Sequence, residues 1–120
     1  MIETLPNRHP EIACEVSITT PYHSACPVSG YPQIGSSITV TYTPSDCIIG
    51  LDSIAKHLLT YATEAIDVET VAQMLALDCA VVVCGTVKVY ARYLLRDDIE
   101  IQCNVQHSSI APEETNDLWI

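Results

Sequence analysis

Apolar and polar positions along the chain alternate, then step by threes and fours, then alternate again. Between Glu11 and Thr19 the apolar residues are Ile12, Cys14, Val16 and Ile18, every second position, as in a strand with one buried face. Pro21 stops that pattern. Residues 21–36 hold Pro21, Pro27, Gly30, Pro32 and Gly35, which predicts a loop with several fixed backbone turns. Alternation returns from Ser37 to Thr43, with Ile38, Val40 and Tyr42 on one face, and Pro44 ends it. Leu51, Ile54, Leu58, Tyr61, Ala62 and Ala65 then recur at helical steps, with Asp52 or Ser53 placed to cap the start. Asp67 is the N-cap expected for a second helix, whose apolar stripe is Val68, Val71, Ala72 and Leu75 and whose first turn holds Glu69. The β-branched run from Ala80 to Tyr93 predicts a long strand bent at Gly85. Arg96, Asp97 and Asp98 make a turn, and Ile99, Ile101, Cys103 and Val105 mark a last strand.

The expected order is β-β-α-α-β-β, an α+β fold in which two helices cover one face of a four-stranded antiparallel sheet. Residues 1–10, with Pro6 and Pro10, read as an extended arm, residues 11–106 as one domain, and residues 107–120 as an extended tail with a lone Trp119. Such a sheet leaves two open edges. Open edges pair readily with a neighbouring copy, so a homo-oligomer joined edge to edge, closing into a barrel, is expected.

Composition narrows the function classes. The chain has 120 residues, 15 Asp+Glu against 5 Lys+Arg, and a formal net charge of −10. A hydrophobic fraction of 48% excludes an acidic disordered tail. No apolar run approaches the ~20 residues that span a bilayer, and the opening MIETLPNRHP does not read as a secretion signal. A cytoplasmic protein without a membrane partner is expected. Arg8, Lys56, Lys88, Arg92 and Arg96 form no basic patch, which disfavours self-sufficient electrostatic binding to nucleic acid or anionic lipid. The acid excess suits either a high-salt host, where surface charge is screened, or an ordinary acidic cytosolic protein.

Of six cysteines, no two are spaced C-x-x-C, and neither a disulfide framework nor a structural metal is expected. Cys14, Cys84 and Cys103 lie in strand-like patterns as small hydrophobes. Cys26 differs, because it lies in the Pro- and Gly-marked loop.

That loop carries a resemblance. Cys26-Pro27-Val28-Ser29-Gly30-Tyr31-Pro32 matches Cys-Pro-x-Ser/Thr-Gly-x-Pro, the active-site signature of the 7-cyano-7-deazaguanine reductases of queuosine synthesis, which have the tunnelling fold. The following Ile38–Pro44 segment is similar to the family's strand ending in Tyr-x-Pro, and the element order is that of the tunnelling-fold unit. The resemblance implies that the Cys26 thiolate adds to a nitrile carbon and forms a covalent thioimide. Pro27 stiffens the loop, Gly30 permits a turn, and Ser29, Tyr31 and His23 line the pocket or move protons. It also implies that Glu69 anchors the heterocycle's N–H and amino groups, since a carboxylate accepts two parallel hydrogen bonds from a guanine-like edge. An acid in a helix's first turn is also favourable through the macrodipole alone. By the same resemblance the assembly is a pentamer or decamer.

The pattern departs from the reductases in three places. Gln33 stands seven residues after Cys26, where the family has an Asp that protonates the nitrile nitrogen; a neutral amide is no general acid, and His23 is the best local substitute. Gln33 is then left to bind substrate. Gly50, Asp52 and Ala55 occupy the places of the family's Glu-x-Lys-x-x-Lys motif, which binds the phosphates of reduced nicotinamide cofactor, and Lys56 is one step out of register. Val68 replaces the His of a His-Glu pair. Keeping the Cys without the cofactor motif resembles the short QueF-like branch, which adds ammonia to the nitrile of transfer-RNA-bound 7-cyano-7-deazaguanine and needs no NADPH. The expected function is therefore nitrile amidation on a free or nucleic-acid-borne deazaguanine (tRNA or DNA). NADPH-dependent reduction to 7-aminomethyl-7-deazaguanine and noncatalytic deazapurine binding stand as alternatives. A metal-dependent cyclohydrolase lacks its ligand spacings.

Overall fold

The computed structural model describes residues 2–22, 33–50, 52–62, 67–95 and 99–109. Among them the elements run β1 (Thr4–Pro6), β2 (Val16–Pro21), β3 (Gln33–Tyr42), β4 (Cys47–Ile49), α1 (Ser53–Ala62), α2 (Val68–Val83), β5 (Thr86–Leu95) and β6 (Ile99–Ser108). The main sheet is antiparallel in the order β2-β3-β5-β6. Alternation divides its two faces. Ile38, Val40 and Tyr42 from β3, and Val87, Val89, Ala91 and Tyr93 from β5, are buried on one. Helix α2 covers that face with Val68, Val71, Ala72, Leu75, Ala76, Cys79, Ala80 and Val83, and α1 adds Ile54, Leu58 and Tyr61 to the same core. The other face carries cross-strand hydroxyl pairs: Ser17 with Thr41 (2.9 Å), Thr19 with Thr39 (2.8 Å) and Thr86 with Ser108 (2.7 Å).

Three expectations change. The first strand of the main sheet begins at Val16, not Glu11, and Ile12 and Cys14 are exposed. Val16 pairs with Tyr42, the last residue of β3, so residues before it have no ladder to join. Residues 80–83 are helical rather than the start of a strand. Burial decides this: Cys79, Ala80 and Val83 continue the stripe of α2 into the core, which outweighs the weak helix preference of valine. Cys84 then ends the helix in the left-handed region (φ 52), its N–H bonded to the Ala80 carbonyl, so it is an exposed cap and not a strand residue. The open carbonyls of Val82 and Val83 accept from the Cys47 thiol (3.5 Å) and the Ser45 hydroxyl (3.1 Å).

The third change is a small second sheet. β1 pairs with β4, so residues 4–6 of the extended arm are tied down by a strand partner that periodicity did not show. Ile2 is buried, and the Glu3 N–H donates to Ser53 Oγ at 2.6 Å, which makes Ser53 an acceptor for the incoming chain. The Ile49 N–H donates to the Tyr42 hydroxyl at 2.8 Å and links this sheet to the main one. No helix among the described residues is long and apolar enough to cross a membrane.

Candidate active site

Strand register places the functional segments. Pro21 pairs with Ser37, Ser37 with Arg92, Gln33 with Leu95 and Leu95 with Ile99. The end of β2, the start of β3, the end of β5 and the start of β6 therefore share one end of the sheet. The chain leaves that end at Tyr22, which is buried and whose N–H donates to the Ser36 carbonyl (3.0 Å), and returns at Gln33. His23, Cys26, Ser29 and Tyr31 lie between these points, outside the described residues. The Gln33 backbone opens β3.

Glu69 reaches the same end from the helical layer. The Asp67 carboxylate caps α2, accepting the Thr70 N–H and hydroxyl, each at 2.9 Å. Burial opposes ionisation of Asp67, but these bonds outweigh it and hold its carboxyl below the usual range. One residue into the helix, Glu69 is half-buried and its Oε1 accepts the Tyr93 hydroxyl at 2.9 Å. Tyr93 lies near the end of β5, opposite Ile101 of β6. Cys103, half-buried on β6, completes this corner; burial raises its thiol pKa, and the nearby Glu69 and Asp67 carboxylates raise it further. Burial likewise pushes the Cys79 thiol up to about 12 and raises Cys47. These three stay protonated near neutral pH and are poor nucleophiles. The structure brings Tyr93, which the sequence pattern marks only as a strand residue, onto the candidate Glu69. The available signal was a tyrosine on the buried face of a strand, whose hydroxyl needs a partner in the core.

A cleft of about 360 Å³ opens where β2 runs into the Cys26 segment, lined by Thr20, Pro21, Tyr22, Ala55, Leu58 and Leu59 with Asp52 and Lys56 at its rim. Lys56 Nζ and Asp52 Oδ2 are 3.1 Å apart. Hydrogen bonding and charge between them lower the Asp52 pKa and raise that of Lys56. A cofactor phosphate would compete with this carboxylate for Lys56, the one cation among the described residues of the cleft, so these residues do not fit a dinucleotide phosphate. Among the described residues, no three His, Cys, Asp or Glu side chains converge as a metal site.

No family model matches the chain. An NADPH-dependent 7-cyano-7-deazaguanine reductase from Thermomicrobium roseum is 36% identical over 64 residues, 52% of this chain and 49% of that protein. A reductase of the same name from Syntrophus aciditrophicus is 28% identical over 108 residues, 88% of this chain and 76% of that one. The chain is similar in sequence to the 7-cyano-7-deazaguanine reductases. The match spans about half the length of the first relative and three-quarters of the second. The crystal structure of the archaeosine synthase QueF-Like in its apo form shares the fold, with a TM-score of 0.70 over 81% of this chain and 96% of that one, at 20% identity. The architecture is therefore the tunnelling fold, with β1 and β4 beside its β-β-α-α-β-β unit. Within it, Glu69 lies at the end of the sheet from which the Cys26 segment departs.

Proposed function

We propose that this chain modifies the nitrile of 7-cyano-7-deazaguanine through a thioimide on Cys26, and that ammonia then converts the thioimide to a formamidine. The observation that carries this reading is positional. The Cys26–Pro32 motif joins β2 to β3 of a tunnelling fold, at the end of the sheet where half-buried Glu69 of α2 meets Tyr93 of β5. Glu69 would hold the heterocycle through its N–H donors and leave the nitrile directed at the loop. The Cys26 thiolate forms a C–S bond to the nitrile carbon while a proton goes to the nitrile nitrogen. Ammonia adds to the same carbon, the C–S bond breaks, and the thiol is regenerated. The sum is nitrile plus ammonia giving amidine, with no change of oxidation state and no NADPH. The Asp52–Lys56 pair, unsuited to a dinucleotide phosphate, supports amidation over reduction.

The site is read as lying between copies. Within one chain β2 and β6 are opposite edges, about 14 Å apart at the usual strand spacing. An edge-to-edge join of β2 onto a neighbour's β6 keeps the strands antiparallel and sets the Cys26 segment of one copy beside Glu69 of the next. Both edges carry half-buried apolar residues on the helix side: Val16 and Ile18 on β2, and Ile101, Cys103 and Val105 on β6. Joining the edges would complete their burial. The −10 charge fits a free base better than a polyanion, so tRNA or DNA would have to be held by shape and by the deazaguanine itself.

Intact-protein mass after mixing with 7-cyano-7-deazaguanine tests the reading. An adduct is expected with the wild type and none with Cys26→Ala. Ammonium should then release an amidine, whereas NADPH should release nothing. An aminomethyl product with NADPH would mean reduction, and binding without any adduct would mean a noncatalytic deazapurine-binding protein.

A further inference from the structure

We propose that Tyr93 is a positioning residue that aims the Glu69 carboxylate at a ligand edge carrying two adjacent N–H donors; this rests on the reading above that Glu69 anchors 7-cyano-7-deazaguanine. Glu69 stands in the first turn of α2 and is half-buried, so its three side-chain torsions are not fixed by packing alone. Tyr93 is different. Only 4% of it is exposed, its ring is held in the core on β5, and its hydroxyl donates to Glu69 Oε1 at 2.9 Å. That bond occupies one lone pair of one oxygen. The carboxylate's other acceptor sites, on Oε2 and the second lone pair of Oε1, are enough to accept the ring N–H and exocyclic amino group of a deazaguanine together.

A simple strap from helix to sheet is an insufficient role for this bond. Helix α2 is already docked by eight buried side chains and capped by Asp67. A carboxylate fixed before the ligand arrives loses less freedom on binding, and freezing one flexible side chain is worth about tenfold in affinity at most. Tyr93 thus favours ligands with both donors over those with one.

Titration calorimetry with 7-cyano-7-deazaguanine and its analogue lacking the exocyclic amino group tests this, using the wild type, Tyr93→Phe, Glu69→Gln and the double variant. Phenylalanine keeps the ring in its buried slot. Tyr93→Phe is expected to weaken binding of the parent compound by about five- to tenfold, to weaken the analogue much less, and to leave thermal melting little changed. In the Glu69→Gln background the Tyr93 change should have almost no further effect, because it acts through Glu69. Unchanged affinity and discrimination in Tyr93→Phe, or additive losses in the double variant, would overturn the proposal. If the wild type fails to bind, or Glu69→Gln binds as the wild type does, the anchor reading itself falls and takes this one with it.

Discussion

Cys84 is held in a backbone conformation that disfavours any side chain beyond glycine. Its φ of 52 costs an L residue roughly 1 kcal/mol relative to glycine, and its exposed thiol recovers little through a 3.6 Å contact with the Val81 carbonyl. Cys84→Gly should therefore raise the denaturant midpoint, by about 0.5–1 kcal/mol of stability. Asp67 is a second local device. Its side chain satisfies the Thr70 N–H, so Asp67→Ala should cost about 1 kcal/mol at neutral pH. Because the folded carboxyl titrates below its unfolded value near 3.8, that contribution is present above this value and lost as the pH falls through the folded one. Denaturation of both proteins at pH 7 and pH 2.5 should show the gap closing. Capping is written within three residues, so Asp67 and the place of Glu69 were legible in sequence. Tyr93 is 24 residues from Glu69, and only the packing of β5 under α2 brings them together.

At the scale of elements, the run 80–83 shows how burial overrides local preference. Val81 is 64% exposed on the outer face of α2, where only helix propensity acts on it. Val81→Ala should stabilise the protein by about 0.5 kcal/mol in equilibrium unfolding; a strand at this position would lose stability instead. Strands β5 and β6 were legible because ten-residue alternation is a strong signal. β1 and β4 have three residues each, too short to show a period, and their pairing spans more than forty residues of chain.

At the scale of the whole molecule, the charge of −10 sets a repulsion that the fold must overcome. Raising sodium chloride from 0.05 to 1 M should increase the melting temperature, since screening shortens the reach of that repulsion from about 14 Å to about 3 Å. A melting temperature that fell with salt would mean that ion pairs such as Arg92–Glu100 dominate instead. The open β2 and β6 edges make a further expectation. Light scattering should give a mass that is a multiple of the 13.1 kDa chain, and a monomer at all concentrations would contradict the shared site.

The sequence by itself determined the alternating faces of β3, β5 and β6, the cap of α2 and the motif around Cys26. Each of these rests on short-range periodicity or on chemistry between near neighbours. Tertiary structure alone decided where β2 begins, since a strand exists only as far as its partner runs. It also decided that residues 80–83 are helix, because their burial against the sheet outweighs valine's preference. The union of Glu69 with Tyr93 was decided the same way, by a hydrogen bond that exists only once α2 lies across β5.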